Sequence, residues 1–141
     1  CVTGEIHCGE TVVGHTRGGI TNFDTKFYEK KFCTPSTTHH NEGDERVYKF
    51  QAPDGDFMAT VYLDTPCTDL DMAAFKWDGQ GCPTVSDAVG NCEMWPKDGS
   101  AREKVILTSQ RPTQWYVVVE SKDGAPEGPF SLTVECKNSL Y

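Results

Sequence analysis

The sequence predicts an all-β fold, an antiparallel β-sandwich of the jelly-roll or immunoglobulin-like kind with about seven or eight strands. Short runs rich in β-branched and aromatic residues alternate with turn residues along the whole chain. No stretch of ten or more residues shows the apolar period of an amphipathic helix. The seven cysteines include no C-x-x-C pair, so they indicate disulfides in an oxidising compartment rather than a zinc site.

The strand assignments follow from residue periodicity. Apolar and polar side chains alternate over residues 57–63, just after turn-forming residues at 53–56. Residues 115–119 are continuously apolar, and the run 115–120 predicts a central strand buried on both faces. Residues 15–45 are polar and predict a long loop with a short helix or strand near 26–33. The predicted strands are residues 10–14, 46–51, 57–63, 72–77, 104–108, 115–120 and 130–136.

The length of the chain limits the number of domains, and its net charge limits the kinds of partner. The 141 residues fit one domain, which we place at residues 8–141 behind an N-terminal tail of residues 1–7. The net charge of −8 disfavours nucleic acid, and no apolar run is long enough to span a membrane. With the cysteines, this predicts a secreted protein that is extracellular or attached to the cell surface, with any signal peptide already removed.

Several phrases occur in a recognisable order between residues 8 and 136. They are CGETVVGHT at 8–16, RVYKF at 46–50, DLDM at 69–72, Cys82 followed by Cys92, WYVVV at 115–119 and GPFSLTV at 128–134. In this order they resemble the bacterial pre-peptidase C-terminal domain, a β-sandwich similar to the collagen-binding domains of secreted bacterial collagenases. The resemblance covers nearly the whole chain, and such domains usually lie at the C-terminus of a secreted enzyme.

The expected function is non-catalytic. The sequence contains no nucleophile, metalloprotease or phosphate-loop motif, so we expect neither an enzyme nor a cofactor. One hypothesis is a structural or adhesive subunit that associates with itself in an extracellular assembly. The alternative is an accessory module that binds collagen or polysaccharide for a secreted peptidase or glycosidase. His39 and His40 with Cys33 form a weaker candidate for a soft-metal site; we expect them to be loop residues.

Six of the seven cysteines are expected to form internal pairs. The resemblance implies a loop pair between Cys82 and Cys92. A bond from Cys8 to Cys136 would tie the first strand phrase to the last, and the remaining pair is then Cys33 with Cys67.

This scheme leaves Cys1 unpaired beside a short tail. We expect Val2 and Ile6 to lie along an exposed sheet edge, where a neighbouring copy adds its strand and Cys1 locks the joint. Head-to-tail contacts of this kind build filaments when they do not close. Two alternatives stay open: Cys1 is lipidated, or it pairs internally and leaves Cys33 or Cys67 free.

Two further features are candidate binding sites. Asp69 and Asp71 lie two residues apart on one side of an extended segment, which suits either calcium or a loop fixed by backbone hydrogen bonds. We favour the fixed loop and expect no metal. Trp77, Trp95 and Trp115 are the aromatic candidates for stacking on a sugar or peptide. Trp115 is expected in the core, whereas Trp95 falls in a predicted loop, where it either stacks on a ligand or plugs the end of the sandwich.

Overall fold

Two stacked β-sheets make up most of a computed structural model, which describes residues 1–23, 25–30, 43–94, 102–121 and 126–137. No helix in these ranges is long and apolar enough to cross a membrane. The elements are strands β1 (Gly4–Glu5), β2 (Thr11–His15), β3 (Glu45–Ala52), β4 (Phe57–Asp64), β5 (Leu70–Lys76), β6 (Gly90–Met94), β7 (Arg102–Ser109), β8 (Thr113–Ser121) and β9 (Pro129–Lys137), and the helix α1 (Thr25–Lys30).

The strands form a five-stranded sheet in the order β1-β3-β8-β5-β6 and a four-stranded sheet in the order β2-β9-β4-β7. Every pairing between these strands is antiparallel except that of β1 with β3. The predicted β-sandwich class is therefore confirmed.

The main core lies between the two sheets. Along β4, side chains alternate between buried and half-buried positions, and along β7 between exposed and buried ones. This period of two places every second residue in the core, as the sequence pattern predicts. The inward-facing side chains include Phe50, Phe57, Val61, Leu63, Met72, Leu107, Trp115, Phe130, Leu132 and Val134.

A second apolar layer covers the outer face of the five-stranded sheet. Phe23 precedes α1, and Phe27 lies within it; both are buried and pack against Phe75 of β5. Phe75 in turn packs against Tyr116 of β8. With both faces covered, β8 is buried from Trp115 to Ser121, which confirms the prediction of a central strand buried on both faces.

The N-terminal residues belong to the domain, which differs from the predicted free tail. The Thr3 amide donates to the Val47 carbonyl at 2.7 Å, and the Ile6 amide donates to the Lys49 carbonyl at 2.9 Å. Ile6 is fully buried in the main core, and Val2 packs against the outer layer. The edge of β3 is thus occupied by the chain's own strand, so Val2 and Ile6 are not available to a neighbouring copy.

Two disulfides are resolved among the described residues. Cys8 bonds to Cys136 with a Cα–Cα separation of 5.5 Å, the pairing expected from the sequence. Cys1 bonds to Cys82 with a Cα–Cα separation of 5.8 Å. The expected pair of Cys82 with Cys92 is therefore wrong, although Cys92 is itself in a disulfide. Strand β1 brings Cys1 to Cys82, and pairing follows Cα separation rather than distance along the chain.

The unpaired cysteine is also a different one from that expected. Cys67 is exposed and is the free cysteine of the described part of the chain, so it does not pair with Cys33, which lies outside that part. Cys1 is bonded internally and does not cross-link to another copy.

Candidate functional site

A polar cleft lies at one end of the five-stranded sheet, where β3 and β5 end and β8 begins. Its volume is about 610 Å³, within the ~300–1,000 Å³ typical of ligand sites. Because neighbouring antiparallel strands alternate in direction, the end of one strand and the start of the next meet there and bring distant residues together. The lining residues are Gln51, Lys76, Trp77, Asp78, Ala88, Gly90, Arg111, Pro112, Thr113 and Gln114.

Trp77 is held rigidly on one wall of the cleft. Its indole Nε1–H donates to the Gly81 carbonyl at 2.9 Å. Its backbone amide donates to the Gln114 carbonyl at 3.1 Å, and the Gln114 side-chain amide donates to the Trp77 carbonyl at 2.8 Å. Tyr116 supports the same loop, since its hydroxyl donates to the Gly81 carbonyl at 2.8 Å. The cleft therefore has one preformed aromatic wall.

The other walls carry amides and both signs of charge. Gln51 and Arg111 are exposed to solvent, and the Gln51 side-chain amide donates to the Ala52 carbonyl at 3.1 Å. The Lys76 ammonium lies 5.2 Å from the centre of the Trp115 ring, which holds the cation beside the cleft. Asp78 adds a carboxylate. Such walls can donate to and accept from a polar ligand at several points.

The tryptophans are distributed differently from the sequence-based expectation. Trp115 is buried in the core, as expected, with 1% of its surface exposed. Trp95 lies outside the described residues. The tryptophan that lines the cleft is Trp77, one of the three aromatic candidates for stacking on a ligand, and it lies at the end of a predicted strand.

The two described histidines contact a carboxylate and a backbone amide. His7 contacts the Glu10 carboxylate at 2.7 Å, and this hydrogen bond lowers the pKa of Glu10. His15 Nδ1 accepts the backbone N–H of Arg17 at 3.0 Å. His39 and His40 lie outside the described residues. Within the described ranges, neither imidazole is paired with a serine or cysteine as a general base would be.

Away from the cleft, carboxylates from the two sheets lie close together. One oxygen each of Asp69, Asp71 and Glu103 lies within 4.8 Å of the others. Asp71 and Glu103 are buried, and Asp69, just before β5, is half-buried. All three also interact with other groups of the chain. Sequence placed Asp69 and Asp71 together, but Glu103, on the other sheet, was not expected.

Two more buried acids extend this cluster across the five-stranded sheet. Glu120 of β8 lies directly between Asp71 of β5 and Glu45 of β3 in the strand register. Glu45 accepts the backbone N–H groups of Asn22, at 2.5 Å, and Phe23, at 3.1 Å, and so holds the segment that leads to α1. Burial raises the pKa of Glu120 well above its usual range, and the charge of Glu45 raises it further.

Tyr28 of α1 lies near the three acids Asp71, Glu120 and Glu45, on the helix side of the five-stranded sheet. Its side chain is 3% exposed, and burial followed by the charge of Glu120 raises the pKa of its hydroxyl well above the usual range. The remaining charges that act on it are those of Glu45 and Asp71. The helix therefore places one hydroxyl against three carboxylates on adjacent strands.

These features define a disulfide-linked β-sandwich with a polar cleft at one end and a buried acidic cluster. No family model and no curated protein sequence matches the chain. Among solved structures it is similar to the pre-peptidase C-terminal domain of collagenase from Bacillus anthracis. That likeness has 13% identity and a TM-score of 0.56, and covers 96% of this chain and 97% of that one. The resemblance inferred from sequence is confirmed at the level of the fold.

Two other solved structures are similar to the chain. The chain is similar to CorA, a surface-associated copper-binding protein of Methylomicrobium album BG8, with 9% identity, a TM-score of 0.51 and coverage of 95% of this chain and 98% of that one. It is also similar to PliG of Aeromonas hydrophila, a periplasmic inhibitor of g-type lysozyme, with 13% identity, a TM-score of 0.45 and coverage of 96% and 100%.

Proposed function

We propose that this chain is a non-catalytic, extracellular ligand-binding domain, and that the cleft beside Trp77 receives a polysaccharide. The observation that carries the proposal is the cleft itself, about 610 Å³ in volume and lined by an immobilised indole, two glutamines and an arginine. Aromatic rings with amide and guanidinium groups suit sugars, which present both apolar ring faces and hydroxyls.

Two further observations support an accessory role outside the cell. The disulfides are typical of an oxidising compartment. The fold is also that of a domain attached to a collagenase, so collagen is the alternative ligand. The described histidines contact Glu10 and a backbone amide, which supports a role without catalysis.

Binding to insoluble polysaccharides and to fibrillar collagen tests this function. The variant Q51A/R111A removes two exposed cleft side chains without touching the hydrogen bonds that fix Trp77. Arg17→Ala is the matched control: Arg17 is also exposed, and it lies near Arg46, at the end of β3 opposite Gln51.

The cleft variant should bind polysaccharide at least ~10-fold more weakly, since hydrogen bonds to charged groups contribute about 1.5–3 kcal/mol. The control should bind as the native protein does. If the protein binds collagen but no polysaccharide, collagen is the ligand and the polysaccharide proposal is wrong. If Q51A/R111A binds as tightly as the native protein, the binding site is not in this cleft. Turnover of any peptide or glycoside by the pure protein would refute the non-catalytic role.

A structural subunit that associates with itself is the second candidate, although the N-terminal route to a filament is not available. The observation that favours it is the exposed, unpaired thiol of Cys67. Mass measurement with and without reductant decides between the two, because the proposed binding domain is a monomer under both conditions. A multimer that Cys67→Ser abolishes would favour the subunit.

A further inference from the structure

The cleft beside Trp77 is more positive than the rest of the chain. The whole chain carries 21 acidic residues against 13 lysines and arginines, which gives a net charge of −8. Among the described residues that line the cleft, Lys76 and Arg111 are cations and Asp78 is the single acid. Within the described part of the chain, neither cation forms an ion pair with a carboxylate. Both are therefore available to a ligand of opposite charge.

Lys76 is held in position before any ligand binds. Its ammonium lies 5.2 Å from the centre of the Trp115 ring. Its aliphatic stem passes over Gly90 of β6, where a Cβ would come within 3.3 Å of Lys76 Cβ and 3.6 Å of Lys76 Cδ. A glycine at position 90 therefore leaves the space that the lysine stem occupies. Because the stem is packed and the ammonium lies beside an aromatic ring, little conformational freedom is lost when this cation binds an anion.

Arg111 supplies a second cation from the turn between β7 and β8. The Thr113 hydroxyl donates to the Arg111 carbonyl at 2.9 Å, which fixes the backbone of the turn, while the arginine side chain is exposed. A guanidinium presents parallel N–H groups that match the two oxygens of a carboxylate. The cleft thus combines two cations with the anchored ring of Trp77, which offers an apolar surface to a sugar.

We propose that the ligand of this cleft is an acidic polysaccharide built from uronic acids, whose carboxylates bind Lys76 and Arg111 while a sugar ring lies against Trp77. The assignment rests on the proposed polysaccharide-binding function and names the class of sugar. Asp78 stands in the same cleft and repels additional negative charge, so a single carboxylate on each sugar suits the cleft better than dense sulfation. Acids elsewhere on the chain are screened over about 8 Å at physiological ionic strength.

Binding of the native protein to polygalacturonate and to its full methyl ester is the primary test, because esterification removes the charge and keeps the sugar chain. Isothermal titration calorimetry should show at least ~10-fold tighter binding to polygalacturonate than to the ester. Raising the salt concentration to ~0.5 M should weaken binding to polygalacturonate and leave binding to the ester unchanged. Equal binding to the two polymers overturns the assignment of uronic acids and leaves the cleft a site for neutral polysaccharide. No binding to any polysaccharide instead refutes the proposed function itself.

A matched pair of lysine variants then locates the charge. Lys76→Met removes the ammonium and keeps an unbranched stem over Gly90, so it should bind polygalacturonate at least ~5-fold more weakly and the ester as the native protein does. Lys104→Met removes the same charge from an exposed position on β7 of the other sheet and should bind both polymers as the native protein does. If Lys76→Met fails to fold, the two polymers still decide on the native protein. Equal affinity of the two variants for polygalacturonate overturns the proposal, as does tighter binding of dextran sulfate than of polygalacturonate to the native protein.

Discussion

The Cys8–Cys136 disulfide ties the segment before β2 to the end of β9, across a separation of 128 residues. Its contribution to stability depends on the loop that it closes in the unfolded chain. The Cys1–Cys82 bond shortens this loop in the unfolded chain. The path from Cys8 back to Cys1, across the bond to Cys82 and on to Cys136 contains only about 60 residues. The entropy lost on closing such a loop corresponds to about 4 kcal/mol of stability.

We expect the variant C8A/C136A to lose about 4 kcal/mol of unfolding free energy, measured by urea denaturation under non-reducing conditions. Its m-value should rise, because the less constrained unfolded chain exposes more surface. C67S is the control, since Cys67 forms no disulfide. A loss below about 1 kcal/mol in C8A/C136A, with the m-value unchanged, would refute the loop argument.

Two other predictions concern packing and ionisation. A Cβ at Gly14 would lie 2.6 Å from Phe130 Cζ, whereas at Gly4 its nearest neighbour would be 3.9 Å away. Gly14→Ala should therefore lose about 1–3 kcal/mol in urea denaturation and Gly4→Ala less than about 0.5 kcal/mol; equal losses would contradict the packing described. Burial raises the pKa of the Tyr116 hydroxyl, so the stability it contributes is present below the ordinary tyrosine pKa and is lost as pH rises through the folded value. Tyrosinate absorbance should show late-titrating groups in the native protein, fewer by one in Y116F and none in the unfolded chain.

Strand positions were predictable because they depend on local alternation. In β4, the pattern from Phe57 to Leu63 specifies which face is buried without knowledge of any partner strand. The continuous apolar run at Trp115 likewise predicted a strand covered on both faces. What covers its outer face was not predictable, since Phe23 and Phe27 lie in a stretch without alternation and pack on strands far along the chain.

Pairing between distant residues was the least predictable property. Cys82 and Cys92 are close in sequence, yet Cys82 bonds to Cys1, because the parallel addition of β1 to β3 controls where Cys1 lies. Because β1 pairs with β3 of the same chain, Ile6 is buried and cannot form the expected contact between copies.

By itself, the sequence determined the β-sandwich class, the strands with clear alternation and the disulfide that joins the two ends of the domain. Only the tertiary structure decided that the N-terminus completes its own sheet, that Trp77 lines a cleft, and that Glu103 and Glu120 join Asp71. The physical reason is range: alternation along a strand is a local response to one buried face, whereas a site is assembled by strand order, which brings together residues that no local pattern connects.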